Sequence, residues 1–246
     1  MRMKDSKIIV VLPAYNAAKT LKQTIDDLPA LVNEIILVDD NSVDQTVRLA
    51  QELSEDANKL KIFKHEKNLG YGGNQKTCYR LALESGGDII VMVHPDYQYD
   101  PRMVQDFVEA MDRHGYDVML GSRIRSRQEA LAGGMPLYKY LSNRMLTIFE
   151  NLVSGQNLSE WHTGMRAYRR TVLEDIEWQN NSNDFVFDTQ MLFQIISKQY
   201  SIGEIAVPVR YFKEASSINF RRSLKYGLGT VWVGIQYLFR RQKQTR

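Results

Sequence analysis

The chain has 246 residues, 43% hydrophobic and 25% charged, with one cysteine, Cys78, and a net charge of +3. That composition excludes a low-complexity, collagen-like or disordered chain, and a single thiol excludes an internal disulfide framework or a cysteine-built zinc site. From Arg210 onward nine Lys/Arg face one Asp/Glu, net +8, whereas the other 209 residues carry 23 basic and 28 acidic groups, net −5, so a mildly acidic body ends in a basic tail suited to an anionic partner.

In chain order, residues 7–12 (KIIVVL) are a β-branched run that ends at Pro13 and predicts a buried strand. This run is too short for a signal peptide or a membrane span. Residues 17–28 have helical composition and stop at Pro29. A strand is predicted at 34–38 (EIILV), a turn at 40–42, and a helix at 43–53 with Asp44 in its first turn. A strand at 60–65, a polar Gly-containing loop at 66–73, a helix at 74–84 and a strand at 88–93 follow. A helix at 101–112 starts on Pro101 and a strand at 117–121 closes the series. This alternation predicts a single α/β unit with a mainly parallel central sheet flanked by helices, its ligands beyond the carboxyl ends of the strands.

After Gly121 the rhythm changes. Residues 122–134 read as a surface loop, 137–153 as an amphipathic helix, 160–168 as a loop entering a short strand, 185–198 as a helix, and 202–212 as an edge strand because of Pro208. Residues 226–239 (YGLGTVWVGIQYLF) are apolar and flanked by Arg221, Arg222, Lys225, Arg240, Arg241 and Lys243. A span needs ~20 residues, so this segment is expected as an interfacial helix on an anionic membrane, or as a helix packing on the body or on a second subunit of a homo-oligomer. The expected division is a catalytic body over 1–219 and a basic C-terminal helix over 220–246.

Three polar segments sit where a binding edge should lie. Asp39 and Asp40 close the second strand and can accept hydrogen bonds from a nucleobase or ribose, or cap the following helix. Residues 68–76 form a Gly-rich loop with Gly70, and Lys76 lies one turn into the next helix; the loop is either a phosphate cradle or a set of turns. His94, Asp96 and Gln98 alternate along an extended segment, so three potential ligands share one side. Asp96 and Gln98 suit Mg²⁺ or Mn²⁺ bridging a diphosphate, and His94 tilts the preference toward Mn²⁺.

In combination these segments resemble the family 2 glycosyltransferases. The carriers are Pro13-Ala14-Tyr15-Asn16, Val38-Asp39-Asp40-Asn41-Ser42-x-Asp44-x-Thr46, Asn68-Leu69-Gly70 and a strand ending toward Asp96. Gly121-Ser122-Arg123 and Thr163-Gly164-Met165-Arg166-Ala167-Tyr168-Arg169 are similar to segments of the dolichyl-phosphate mannosyltransferase-like branch. The resemblance spans about residues 7–220. It implies a GT-A fold, a GDP- or UDP-sugar donor, Mg²⁺ or Mn²⁺, and inversion at the anomeric carbon. It further implies that Pro13, Tyr15 and Asn16 line the base pocket, that Asp39 or Asp40 binds base or ribose, and that Asp96 and Gln98 face the metal. His94 departs from the usual Asp, which removes one negative charge from the metal site.

An alcohol acceptor needs a carboxylate base, whereas a polyprenyl phosphate is already anionic and needs cations. The resemblance places Arg123, Ser142 and Arg144 at an acceptor phosphate, with Arg125, Arg127 and Arg166 as further guanidinium groups in this half. Asp188 is the candidate base for an alcohol. Lys213, Arg221, Arg222 and Lys225 are candidates to close over the leaving diphosphate. The expected activity is sugar transfer to a polyprenyl phosphate by an enzyme peripheral to the cytoplasmic face of the membrane. The alternatives are a soluble hydroxyl acceptor, or a silent nucleotide-sugar binding module. Nucleic acid is not an expected partner, since no recognition motif accompanies the basic tail.

Overall fold

The seven buried residues Ile8–Ala14 form β1, whose even and odd side chains enter different cores. Ile9 and Val11 face one core, while Ile8, Val10 and Leu12 face the other, as the period of two requires for a strand covered on both sides. The computed structural model describes residues 6–56, 59–124, 128, 131, 134–208 and 220–244.

β2 (Glu34–Asp39), β3 (Leu60–Lys64) and β4 (Ile89–Met92) join β1 in parallel, in the order β3-β2-β1-β4. Beyond β4 lies β6 (Arg166–Arg169), antiparallel to both β4 and β5 (Val118–Ser122), and β7 (Ile202–Ala206) pairs in parallel with β5 at the edge. The register sets Ala14 beside Asp39 and Asp39 beside Lys64, so the carboxyl ends of β1, β2 and β3 meet at one edge.

One face of the sheet is covered by α1 (Leu21–Asp26) and α4 (Met103–His114), through Leu21, Ile25, Phe107 and Met111. The other face is covered by α3 (Tyr71–Glu84) and α7 (Phe187–Ser197), through Tyr79, Ala82, Met191 and Leu192. Full burial of each such large apolar side chain contributes roughly 1.5–3 kcal/mol. α2 (Thr46–Asp56) packs on α1 and β3, and α6 (Arg170–Asp175) follows β6. α8 (Phe220–Gln244) lies along α5 (Leu137–Ser154) and α7. Gly234 makes that approach possible: a Cβ there would stand 2.7 Å from the Phe149 ring. No helix among the described residues is long and apolar enough to cross a membrane.

The expected parallel sheet with flanking helices is present, with several boundaries moved. α1 starts at Leu21 rather than at residue 17, because the amides of Asn16, Ala17 and Ala18 donate to Ser42, Thr46 and Asp44 and hold that stretch as a turn. α3 starts at Tyr71 rather than at residue 74. α8 is longer than the apolar run that announced it. β7 ends at Ala206; residues 209–219, and with them Lys213, lie outside the described residues, as do Arg125 and Arg127 of the expected surface loop.

Candidate active site

The two strand-end carboxylates have different tasks. Asp40 is 3% exposed. Its Oδ1 accepts from the Leu69 amide at 2.8 Å and faces His65 Nδ1 at 2.8 Å, and its Oδ2 accepts from the Gly70 amide at 3.0 Å. His65 Nε2 lies in turn 2.9 Å from Thr77 Oγ1. Asp40 therefore ties β2 to the 65–70 turn. Asp39 is also buried, and its Oδ2 accepts from the Ser42 amide at 3.0 Å, but its Oδ1 has no partner among the described residues. A buried carboxylate oxygen without a donor carries a desolvation cost that an N–H from a bound group would offset. Asp39, rather than Asp40, is the carboxylate that can receive a base or ribose.

Beside Asp39, β1 runs through buried Pro13 into exposed Tyr15 and Asn16. Asn16 adopts φ +53° and accepts from the Val43 amide at 3.0 Å, so its side-chain oxygen is spent on joining the two loops. Tyr15 is the member of that segment with an open ring face for stacking.

The Gly-rich loop packs against the 181–183 segment. The amides of Gly72 and Gly73 both donate to Asn183 O, at 2.8 and 3.3 Å, so α3 spends these first-turn donors on backbone. Gly72 is required by contact: a Cβ would lie 2.5 Å from Ser182 O and 2.7 Å from Phe187 Cβ. Gly70, at φ +84°, turns the chain into the helix. Lys76 Nζ donates to Asn181 O and, at 2.8 Å, to Asn183 Oδ1, while burial pulls its pKa down. Gly70 and Lys76 thus serve the docking of α3 on the 181–183 segment.

His94, Asp96 and Gln98 lie on a turn after β4, with Tyr97 at φ +57°, rather than on the expected extended segment; Thr20 and Thr24 pin it by donating to Pro95 O at 2.6 and 3.3 Å. Asp96 Oδ1 accepts from the Gln98 amide at 3.0 Å. No group of three or more His, Cys, Asp or Glu among the described residues is arranged to hold a metal, so no preformed acidic cage exists here. His94 stacks on Tyr71 with ring centroids 5.5 Å apart, and Gly164 leaves room for its ring, since a Cβ there would be 2.8 Å from Cδ2. Burial lowers the His94 pKa against the opposing pull of Asp96 and Asp188, which favours the neutral ring.

Asp188, in the first turn of α7, is locked rather than open. Its Oδ2 accepts from Tyr71 Oη at 2.7 Å and its Oδ1 from Gln75 Nε2 at 3.3 Å, and Arg166 Nη2 lies 3.6 Å away. Arg166 is fully buried and donates to Trp161 O and Thr163 O, so it is not available to a phosphate. Burial alone would lower the Arg166 pKa, but the neighbouring Asp188 outweighs it and keeps the guanidinium charged. Burial and the same carboxylate raise the Tyr71 pKa, so the phenol stays a donor.

Further along the same carboxyl edge, past β5, Arg123 Nε donates to Glu160 Oε1 at 2.8 Å and Nη2 donates to His162 O at 2.5 Å. Burial would raise the Glu160 pKa, but Arg123 outweighs it and lowers it. Asn143 of α5 donates to the same Glu160 oxygen at 2.8 Å, and Arg144 donates to Ser159 O at 2.5 Å. Ser142 is exposed on the outer side of α5. Lys139, one turn earlier, is half-buried, and burial and then the Arg123 charge lower its pKa. Arg222 and Lys225 belong to α8, and Lys225 pairs with Asp184 at 2.7 Å. Nothing is described of the Arg221 side chain.

Residues 9–177 match the family model described as Glycosyl transferase family 2. The chain belongs to glycosyl transferase family 2. It is 28% identical over 222 residues to a UDP-N-acetylglucosamine–dolichyl-phosphate N-acetylglucosaminyltransferase of Methanococcus voltae, covering 85% of this chain and 88% of that one. It is 26% identical over 206 residues to a dolichyl-phosphate hexose transferase of Haloferax volcanii, covering 82% of each. Among solved structures, glucosyl-3-phosphoglycerate synthase from Mycobacterium tuberculosis, in complex with Mn²⁺, UDP and glucosyl-3-phosphoglycerate, aligns with a TM-score of 0.69 at 18% identity, covering 96% of this chain and 81% of that one.

For this family 2 glycosyltransferase the GT-A fold follows. Sequence reasoning missed Tyr71, Gln75, Lys139 and Glu160. Tyr71 and Gln75 carried a signal, since they are one helical turn apart on α3. Glu160 had none, because its partner Arg123 is 37 residues away in sequence.

Proposed function

We propose that this chain transfers a glycosyl group, with inversion, from a GDP- or UDP-sugar to a polyprenyl phosphate, working as a peripheral enzyme at an anionic membrane surface on the cytoplasmic face. The observation that carries the acceptor is the lock on Asp188. Its oxygens are engaged by Tyr71, Gln75 and Arg166, so it is poorly placed to deprotonate an alcohol. Lys139 beside Arg123 offers positive charge instead, which suits an acceptor that is already an anion. Two relatives named as dolichyl-phosphate transferases support the same reading.

The geometry supports the following roles. Asp39 Oδ1 accepts an N–H or hydroxyl from the nucleoside, and Tyr15 covers the base. Asp96 and Gln98 would hold Mg²⁺ or Mn²⁺ through side-chain oxygens that together carry a single negative charge. When bound, such an ion offsets the charge that develops on the leaving diphosphate. Neutral His94 packs under the site and adds no charge. An acceptor phosphate oxygen attacks the anomeric carbon from the face opposite the leaving group. The new C–O bond forms as the bond to the nucleoside diphosphate breaks, and the electron pair leaves with the diphosphate. No proton has to be removed from the acceptor.

The test is transfer from a panel of GDP- and UDP-sugars, with Mg²⁺ or Mn²⁺, with and without a short-chain polyprenyl phosphate. A lipid-linked sugar phosphate that appears with one donor supports the reading. Transfer to soluble hydroxyl acceptors alone would overturn the acceptor, and failure of every nucleotide to bind would leave a silent module.

A further inference from the structure

We propose that α5 and α8 together form a docking face for an anionic lipid monolayer, in which α5 carries as much of the contact as the basic tail. The inference rests on the membrane-borne acceptor proposed above and adds the surface by which the enzyme reaches it.

On α5, Leu141, Met145, Ile148 and Leu152 repeat at helical spacing and are all exposed, Met145 at 72% and Leu152 at 79%. They lie opposite the buried positions Asn143, Thr147 and Glu150. On α8, Leu228 and Trp232 are one turn apart and 65% and 60% exposed, opposite Thr230 and the half-buried Val233 and Tyr237 that face the body. The two helices touch through Phe149 at Gly234 and Leu146 at Gly227. The two outward stripes therefore form one surface. Exposed apolar side chains in such a continuous set mark an interaction site rather than scattered surface residues.

Charge decides the occupant. Residues 220–244 contain no Asp or Glu, and the one acid of α5, Glu150, is fully buried. Neither helix presents a carboxylate to the outside. Arg222, Lys225 and Arg240 on α8 are exposed cations beside the stripes, while Lys139 and Arg144 on α5 are half-buried. Asp184 is the carboxylate seen at this rim, where it pairs with Lys225. An apolar stripe flanked by cations and free of acids complements anionic headgroups over acyl chains. A symmetric contact with a second copy would set these cations against the same cations. The face also adjoins the site: Asn143 of α5 holds Glu160, and Tyr226 of α8 reaches His162.

The experiment uses the full chain with vesicles that contain no polyprenyl phosphate, either phosphatidylcholine alone or equal parts phosphatidylcholine and phosphatidylglycerol. Co-sedimentation reads binding. Tryptophan emission reads insertion, because Trp161 and Trp178 are buried and only Trp232 is open to change. The expected result is binding to the anionic vesicles with a blue shift that is absent in Trp232→Phe. The triple substitution Met145→Gln, Ile148→Gln, Leu152→Gln is expected to weaken binding at least ~10-fold with an unchanged melting curve. The pair Leu228→Gln, Trp232→Gln should weaken it comparably. Undiminished binding of the triple variant, or equal binding to both vesicle types, overturns the proposal. So does a wild-type dimer in light scattering that the triple variant converts to monomer. Transfer to a water-soluble polyprenyl phosphate without vesicles tests the acceptor separately, so either reading can fail while the other stands.

Discussion

The hydroxyl of Tyr226, on α8, lies 2.5 Å from Nδ1 of His162, in the loop that also accepts a hydrogen bond from Arg123. His162 Nε2 is 3.0 Å from Glu150 Oε2 on α5, close enough for an ion pair, although the angle is not that of a hydrogen bond. Thr189 Oγ1, next to Asp188, is 3.5 Å from both Tyr226 Oη and Glu150 Oε1. One small polar cluster thus joins the C-terminal helix to both candidate acceptor-side elements. Tyr226→Phe leaves the His162 nitrogen without its partner, at a cost of about 1–3 kcal/mol. We expect a lower melting temperature and a raised KM for the acceptor, with the donor Kd unchanged by calorimetry.

Asp39 and Asp40 are neighbours in sequence and should separate in effect. Asp39→Asn reverses the hydrogen-bonding character of an unpartnered oxygen, so nucleotide affinity should fall ~10-fold or more while stability holds. Asp40→Asn removes a charged acceptor from two amides and from His65, so it should cost about 1.5–3 kcal/mol of stability. Denaturation and nucleotide titration of both variants check the contrast.

Gly72→Ala puts a methyl group against Ser182 O and Phe187 Cβ, both attached to backbone and neither able to swing away. The helix must shift off the 182–183 segment, at about 1–3 kcal/mol. Gly115→Ala, at φ +70° but with open space around its Cβ position, should pay only for its left-handed backbone. The two melting temperatures test whether contact, rather than helix propensity, selects glycine at position 72.

The sheet was legible because β1, β2 and β4 are short runs of β-branched residues bounded by Pro and Asp, and burial on both faces leaves such runs little choice. The antiparallel placement of β6 was not legible, since Arg166–Arg169 has no local mark of direction. The site was half legible. Asp39 and the 94–98 turn sit where strand ends put them. The two readings of the Gly-rich loop could not be separated in sequence, because glycines required by a neighbouring backbone look the same as glycines that admit a ligand. Arg123, Arg144 and Arg166 read as open phosphate ligands, yet their partners Glu160, Ser159 and Asp188 are supplied by tertiary contacts that no local spacing announces.

Glu160 makes stability depend on pH. Its folded pKa is depressed by Arg123, so the stability it contributes is fully present above its unfolded pKa of ~4.3 and is lost as pH falls through the lower folded value. Glu160→Gln should remove this acid-side slope. It also breaks the largely buried ion pair between Glu160 and Arg123, which costs about 3–5 kcal/mol at neutral pH. Urea unfolding of both proteins from pH 7 down to pH 3 measures the two effects together.

Asp188→Asn separates a catalytic base from a structural acid. A base would lose turnover and the acidic limb of its pH–rate profile, while the fold kept its melting temperature. The lock seen here gives the opposite expectation. Arg166 is fully buried with Asp188 as its counter-charge, and neutralising Asp188 leaves a buried guanidinium held only by carbonyls. The variant should lose about 3–5 kcal/mol of stability. Whatever folded fraction survives should retain transfer to polyprenyl phosphate, with an unaltered pH–rate profile. A stable Asp188→Asn enzyme that binds donor but does not turn over would return Asp188 to the reacting atoms and favour an alcohol acceptor.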